Sequence, residues 1–272
     1  MKKVVTILCM LSCVHMVTAQ ELYVYTNPAS NIPAKAVVAK LSGKTMKAYH
    51  NNEREYRFSP EVQVGLSKNI MIAAGTSFSD MFFQNSLQFE SARLYAKYRF
   101  LSKDDVHKHF RMAAFVMGAW SNNPLVYQEL NLEGDNSGIQ TGLIATQLVK
   151  KFAASAGVSW VRQLEQKNKI NFGPAFSNHA LQYNLSMGYL LFPRSYNSYN
   201  QTNLNLYCEF LGQQNTDIKA GFVDMAPSLQ LIFKSSTRLN VGTRFQLTGI
   251  AHRMAKESVF ISVEHYFLNA LK

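Results

Sequence analysis

Beyond its first twenty residues the chain has nothing close to the ~20 consecutive apolar residues of a membrane-spanning helix. Sustained helical periodicity is missing as well. Cysteine is nearly absent: Cys9 and Cys13 fall in the first nineteen residues, and Cys208 stands alone after them. An internal disulfide and a cysteine-based metal site are therefore excluded from residues 20–272. No Pro/Ser-rich linker or shift of composition divides the chain, so one domain is expected. Phosphate-cradling glycine loops, zinc signatures and the H-E-x-x-H pattern are also missing.

What is present begins with a secretory layout. Lys2 and Lys3 precede a mostly apolar stretch, Val4–Val17, and Thr18-Ala19 closes it with small residues. This predicts a signal peptide over 1–19. The formal charge of +11 falls to +9 without Lys2 and Lys3. Residues 20–35, QELYVYTNPASNIPAK, hold two prolines and no sustained alternation. They are expected to lead into a domain spanning 36–272.

From there one pattern repeats. In RLNVGTRFQLTG, residues 238–249, Leu239, Val241, Thr243, Phe245 and Leu247 share one side, and Asn240, Gly242, Arg244, Gln246 and Thr248 the other. A period of two marks an extended strand with unlike faces. Twelve such runs follow one another, at about 36–49, 56–67, 69–80, 88–102, 109–121, 137–149, 151–163, 180–192, 202–213, 221–234, 238–249 and 257–269. The sixth and seventh are less regular, because Ile144, Leu148 and Val161 fall on the polar side.

The apolar faces carry no Asp, Glu, Lys or Arg, and a histidine only at His265. A protein core and a lipid bilayer would both select such a face, so strand length decides between them. Twelve residues at ~3.3 Å each, tilted by ~40°, span roughly 30 Å, enough for a bilayer. Strands of soluble proteins average about five or six residues. Aromatic residues also gather near strand ends: Phe100, Phe110, Phe152, Phe192, Phe233 and Phe267 toward one rim, Tyr56, Phe78, Phe89, Trp120, Trp160, Phe222 and Phe260 toward the other. Tight connections such as 67–69, 150–151 and 235–237 alternate with the long ones, 122–136 and 164–179. The expected fold is all-β: an antiparallel transmembrane β-barrel of about twelve strands, within a range of roughly ten to fourteen.

Four stretches, ELYVYTNPASNIPA, RLYAKYRFLSKDDVHKHFRMAA, LEGDNSGIQTGLIATQLVKKFA and VFISVEHYFLNALK, resemble small outer-membrane β-barrel proteins of Bacteroidota. The resemblance covers nearly the whole mature chain. It implies an outer-membrane address and a barrel fold, and brings no catalytic motif. The closing strand is similar to the assembly signals of such barrels, which end on an aromatic residue. Here five more residues, 268–272, follow Phe267.

Inside such a barrel the polar faces line the lumen. The basic set Lys40, Arg57, Arg93, Lys97, Arg99, Arg111 and Arg244 outnumbers the acidic set Glu61, Glu209, Asp224 and Glu264. That bias favours passage of small polar or anionic solutes. Alternatively, the same arginines pair with the acids and fill the interior. About eight strands give an interior that side chains fill and about sixteen leave a channel, so twelve permits both outcomes.

A second class of function is a structural or secretion-associated barrel binding protein partners through 122–136 and 164–179. A third is a lipid hydrolase built on Ser177-Asn178-His179, with His50 and His252 at the same rim. His107 and His109 beside Asp104 and Asp105 are metal-ligand types in a spacing that matches no known motif. EGDNSG, 133–138, reads as a plain turn. No catalytic residue, metal or cofactor is expected. The basic residues are spread along strands instead of sharing one exposed face, so the expected partner is outer-membrane lipid and not nucleic acid.

Overall fold

The computed structural model describes residues 23–47, 53–82, 86–164, 176–193 and 200–271. The signal-peptide reading, His50, and most of the 164–179 and 193–201 connections lie outside them. The strands are β1 (Val37–Lys47), β2 (Arg54–Gly65), β3 (Ile70–Ser79), β4 (Gln88–Asp105), β5 (Lys108–Ser121) and β6 (Gly138–Val149), followed by β7 (Phe152–Gln163), β8 (His179–Phe192), β9 (Asn203–Asn215), β10 (Gly221–Phe233), β11 (Thr237–Gly249) and β12 (Glu257–Phe267). Each pairs antiparallel with its chain neighbours, and β1 pairs with β12 from Val37↔Phe267 to Met46↔Ser258. The twelve-stranded closed barrel is the expected fold. The main difference lies in the β4–β5 hairpin, which runs on to a two-residue turn at Val106-His107, where His107 takes φ 60°.

Closure follows from the solvent. Hydrocarbon offers no hydrogen bonds, so a sheet crossing it must pair every edge. The outward faces present Leu41, Leu94, Val116, Leu143, Leu206, Leu229 and Val241, all exposed, with Leu94 at 69 %. Exposed Phe100, Phe152, Phe192, Phe233 and Phe267 mark the tight-turn rim, and Tyr56, Phe89, Trp120 and Trp160 the opposite rim. Phe222 and Phe260 do not belong to that girdle. Phe222 shares a face with Asp224, and Phe260 with Ser262 and Glu264, so parity turns both inward. Phe222 is buried under the Arg253 guanidinium at 3.6 Å, and Phe260 packs on Tyr25 at 5.2 Å.

Two segments fold back into the barrel: residues 23–34 and the β5–β6 connection, 122–136. The three apolar residues that break the alternation are where these segments dock. Leu148 packs with Tyr23 and Val24, and Ile144 with Ala29. Val161 packs with Leu130 and Leu132. Apolar side chains facing a polar lumen are accounted for by these internal contacts.

Replacing lipid-facing Leu94 by Arg should destabilise the barrel by about 2–4 kcal/mol, the cost of a basic side chain near the bilayer midplane. Reversible urea unfolding in lipid vesicles reads this directly, and an unchanged midpoint would place Leu94 outside the hydrocarbon.

Candidate functional site

The inner segment 23–34 has no strand partner, so side chains of the wall satisfy its backbone. Glu209, fully buried on β9, accepts five hydrogen bonds. The N–H groups of Val24 and Tyr25 reach Oε1 at 3.0 and 2.9 Å. The Thr26 N–H, Thr26 hydroxyl and Ser186 hydroxyl reach Oε2 at 3.0, 2.7 and 3.1 Å. Further along, the Ala29 N–H donates to the Thr146 hydroxyl at 2.9 Å. The Lys97 ammonium donates to the carbonyls of Pro28 and Ser30 at 2.7 and 2.8 Å, and Arg111 to the Ser30 hydroxyl at 2.8 Å. Gly65 admits the chain at Pro33, because a Cβ there would lie 2.1 Å from the Pro33 carbonyl oxygen.

Ion pairs hold the 122–136 connection. Arg57 binds Glu90 through two bonds of 2.7 and 2.5 Å and also grips Asp135 of the connection. Gly134 lies against that guanidinium so closely that a Cβ would come within 2.6 Å of its central carbon. Glu129 bonds Arg253 at 2.8 Å and Arg244 at 3.3 Å, and both arginines share Asp224 at 2.7 and 2.6 Å. Gln182 donates to the Leu130 carbonyl at 2.7 Å. Burial alone would raise the Glu129 carboxyl, but Arg253 and Arg244 outweigh it and hold the group at about 2.

Between these segments and the β1–β4 and β11–β12 wall lies a chamber of about 370 Å³. It extends from Lys68 and Arg99, at the tight-turn end, to Arg57, Arg244 and Glu133 under the connection. All seven residues of the predicted basic set line it. Most are paired: Lys40 with Glu264 at 3.4 Å, Arg93 with Glu61 at 2.7 Å, Arg111 with Asp104 at 3.1 Å, and Arg57 and Arg244 as described. Lys97 and Arg99 donate to backbone carbonyls, Arg99 to that of Lys68 at 2.7 Å. In the acidic set, Glu61 and Glu264 lie on the chamber wall, while Glu209 and Asp224 hold the two inner segments. Lys44 and Arg238 also line the chamber. Parity with Lys40 and Asn240 makes both readable in the strands, whereas Glu129, Asp135 and Arg253 sit in connections without a pattern.

Three expectations change. The 122–136 connection is not an external docking loop, because its charges are spent on the lumen wall. EGDNSG is a turn, but one that faces the lumen, with Asp135 and Asn136 N–H groups bonded to the Asn131 carbonyl. The Ser177 hydroxyl donates to the main-chain carbonyl of His179 at 2.6 Å, and the His179 ring lies beside Trp160 at 5.5 Å, so the contact is no serine–imidazole relay. His252 lies against Tyr127, and His109 pairs with Asp104 at 2.7 Å. Among the described residues no three His, Cys, Asp or Glu side chains gather around one point.

Neither the protein-family models nor the curated proteins give a match. Solved structures do. An outer-membrane channel from Pseudomonas putida F1 aligns at TM-score 0.57 with 13% identity, covering 90% of this chain and 100% of that one. The fold is that of an outer-membrane β-barrel. The β domain of the Bordetella autotransporter BrkA aligns at 0.51 with 11% identity, covering 85% and 99%. The KdgM porin in complex with disordered oligogalacturonate aligns at 0.50 with 7% identity, covering 85% and 99%. A channel and an autotransporter domain share this architecture, so the barrel does not by itself choose between transport and secretion.

Glu209→Ala should leave the barrel folded but raise hydrogen exchange at residues 24–26 by roughly tenfold or more, as charge-assisted bonds are lost; unchanged protection would mean another contact holds the segment. Because the Glu129 carboxyl is depressed when folded, its stabilisation is complete above the ordinary carboxylate range and disappears as pH falls toward 2. Amide protection across 122–136, taken relative to the intrinsic exchange rate at each pH, should therefore hold down to about pH 5 and fall progressively as pH approaches 2; protection unchanged at pH 2 would contradict this.

Proposed function

We propose that the protein is a bacterial outer-membrane barrel, exported by the signal peptide at 1–19, that admits small anionic or polar solutes along a narrow off-axis path. The observation that carries this reading is the chamber lining, ten Lys and Arg residues against three Glu. Carboxylates behind the wall neutralise several of the ten. Lys44 and Lys68 have no ion-pair partner among the described residues, so the field remains positive along the path. Inner segments 23–34 and 122–136 restrict the bore, which makes the path selective and its conductance small. A channel and a porin with bound oligogalacturonate among the structural neighbours support the reading. The partner-docking alternative is weaker because 122–136 is folded inside. No catalytic role is assigned. The resemblance to Bacteroidota barrels supports a source in that group.

Single-channel recording in planar bilayers tests this. Wild-type protein should show small steps whose reversal potential in a salt gradient indicates anion preference. The double variant Lys40→Gln/Arg93→Gln strips the cation from Glu61 and should move the reversal potential toward the cation side. A silent bilayer, with wild-type and Glu209→Ala protein alike, would remove the transport reading.

A further inference from the structure

A second cavity of about 210 Å³ adjoins the chamber, and the two share Tyr25, Thr26, Asn27, Asn131, Glu133 and Arg244 as lining. Their chemistries differ. The first is lined by cations, while the second brings Tyr95 and Phe115, stacked at 5.5 Å, together with Gln140, Gln182, Asn184 and Gln213. Aromatic faces beside side-chain amides suit a saccharide: its C–H faces pack on the rings and its hydroxyls bond the amides.

Several fully buried polar atoms of residues bordering these cavities have no hydrogen-bond partner in the protein. They are the hydroxyls of Tyr25 and Tyr95, Nη1 of Arg93, and the side-chain amide of Asn31. Lys44 has no ion-pair partner among the described residues. Buried donors in native proteins are almost always met by protein, water or ligand. The cations lining the first cavity and the amides lining the second offer donors to a ligand rich in oxygen acceptors. A bare anion would use only the first cavity, and a neutral sugar only the second.

We propose that the two cavities together form one binding site for a small acidic saccharide of one or two rings. Its carboxylate lies toward Lys44 and Arg93, and a ring lies against Tyr95 and Phe115. The proposal rests on reading the chamber as a solute path, and names the solute class. A site of this kind makes the barrel a selective uptake route rather than a sieve, because a solute is bound before it passes.

Titration calorimetry of the full chain, folded in detergent, tests it with digalacturonate, its dimethyl ester and acetate. Digalacturonate should bind saturably at one site, with the ester and acetate each at least about tenfold weaker. Lys44→Met should lower digalacturonate affinity by about tenfold and narrow its advantage over the ester, whereas Tyr95→Leu should weaken acid and ester alike. Heat-dependent gel mobility checks that each variant is folded, and the three-ligand comparison on wild-type protein stands without the variants. Acetate equal to digalacturonate would reduce the site to a general anion trap. An ester equal to the acid would remove the role of charge, and no saturable binding would overturn the proposal outright. Anion-selective steps in bilayers without digalacturonate binding would sink this inference and leave the transport reading standing. Binding without steps would do the reverse.

Discussion

A bilayer allows no unpaired backbone group and no outward ion, and the rest of the molecule follows from that. Closing β1 on β12 meets the first demand. Placing one face of every strand in hydrocarbon meets the second: it sends the ionic side chains of the strand centres inward and leaves outward ones, such as Lys47, Arg162 and Glu257, only at strand ends. Those ions then share a lumen wider than side chains alone can fill. The chain solves this by returning parts of itself to the interior.

The two returning segments are held by different chemistry, each suited to what it offers. Residues 23–34 bring bare backbone, so a lone carboxylate collects N–H groups and a lysine collects carbonyls. The 122–136 connection brings Glu129 and Asp135, so arginines of the wall and of the β11–β12 connection hold it. Buried ion networks add little net stability over an apolar filling, but each removed partner leaves a costly orphan charge. Such networks therefore fix the position of a segment more than they stabilise the barrel. What they leave open is the chamber.

The barrel was legible in the sequence because a strand repeats every two residues and lipid punishes each exception. Strand positions, inward cations and the outward belt all follow from that parity. Phe222 and Phe260 show the limit of reading rims by position along a strand: parity, applied to them as it was to their neighbours, turns them inward. Ile144, Leu148 and Val161 carried more information than irregularity, since an apolar residue on a lumen face predicts a segment packed against it. Which segment could not be read. Glu129, Asp135 and Arg253 lie in connections, where no period says which way a side chain points, and their pairing depends on distant contacts, 78 positions apart for Asp135 with Arg57 and 124 for Glu129 with Arg253.

The central claim is the solvent assignment, and the chain carries a native probe for it. Its two tryptophans, Trp120 and Trp160, both lie on the outward face near one rim, 54 % and 43 % exposed. In vesicles of lipids brominated near the headgroup end of the acyl chains, their fluorescence should be strongly quenched, with little quenching by aqueous iodide. Efficient iodide quenching with indifference to the brominated chains would place those faces in water and contradict the account.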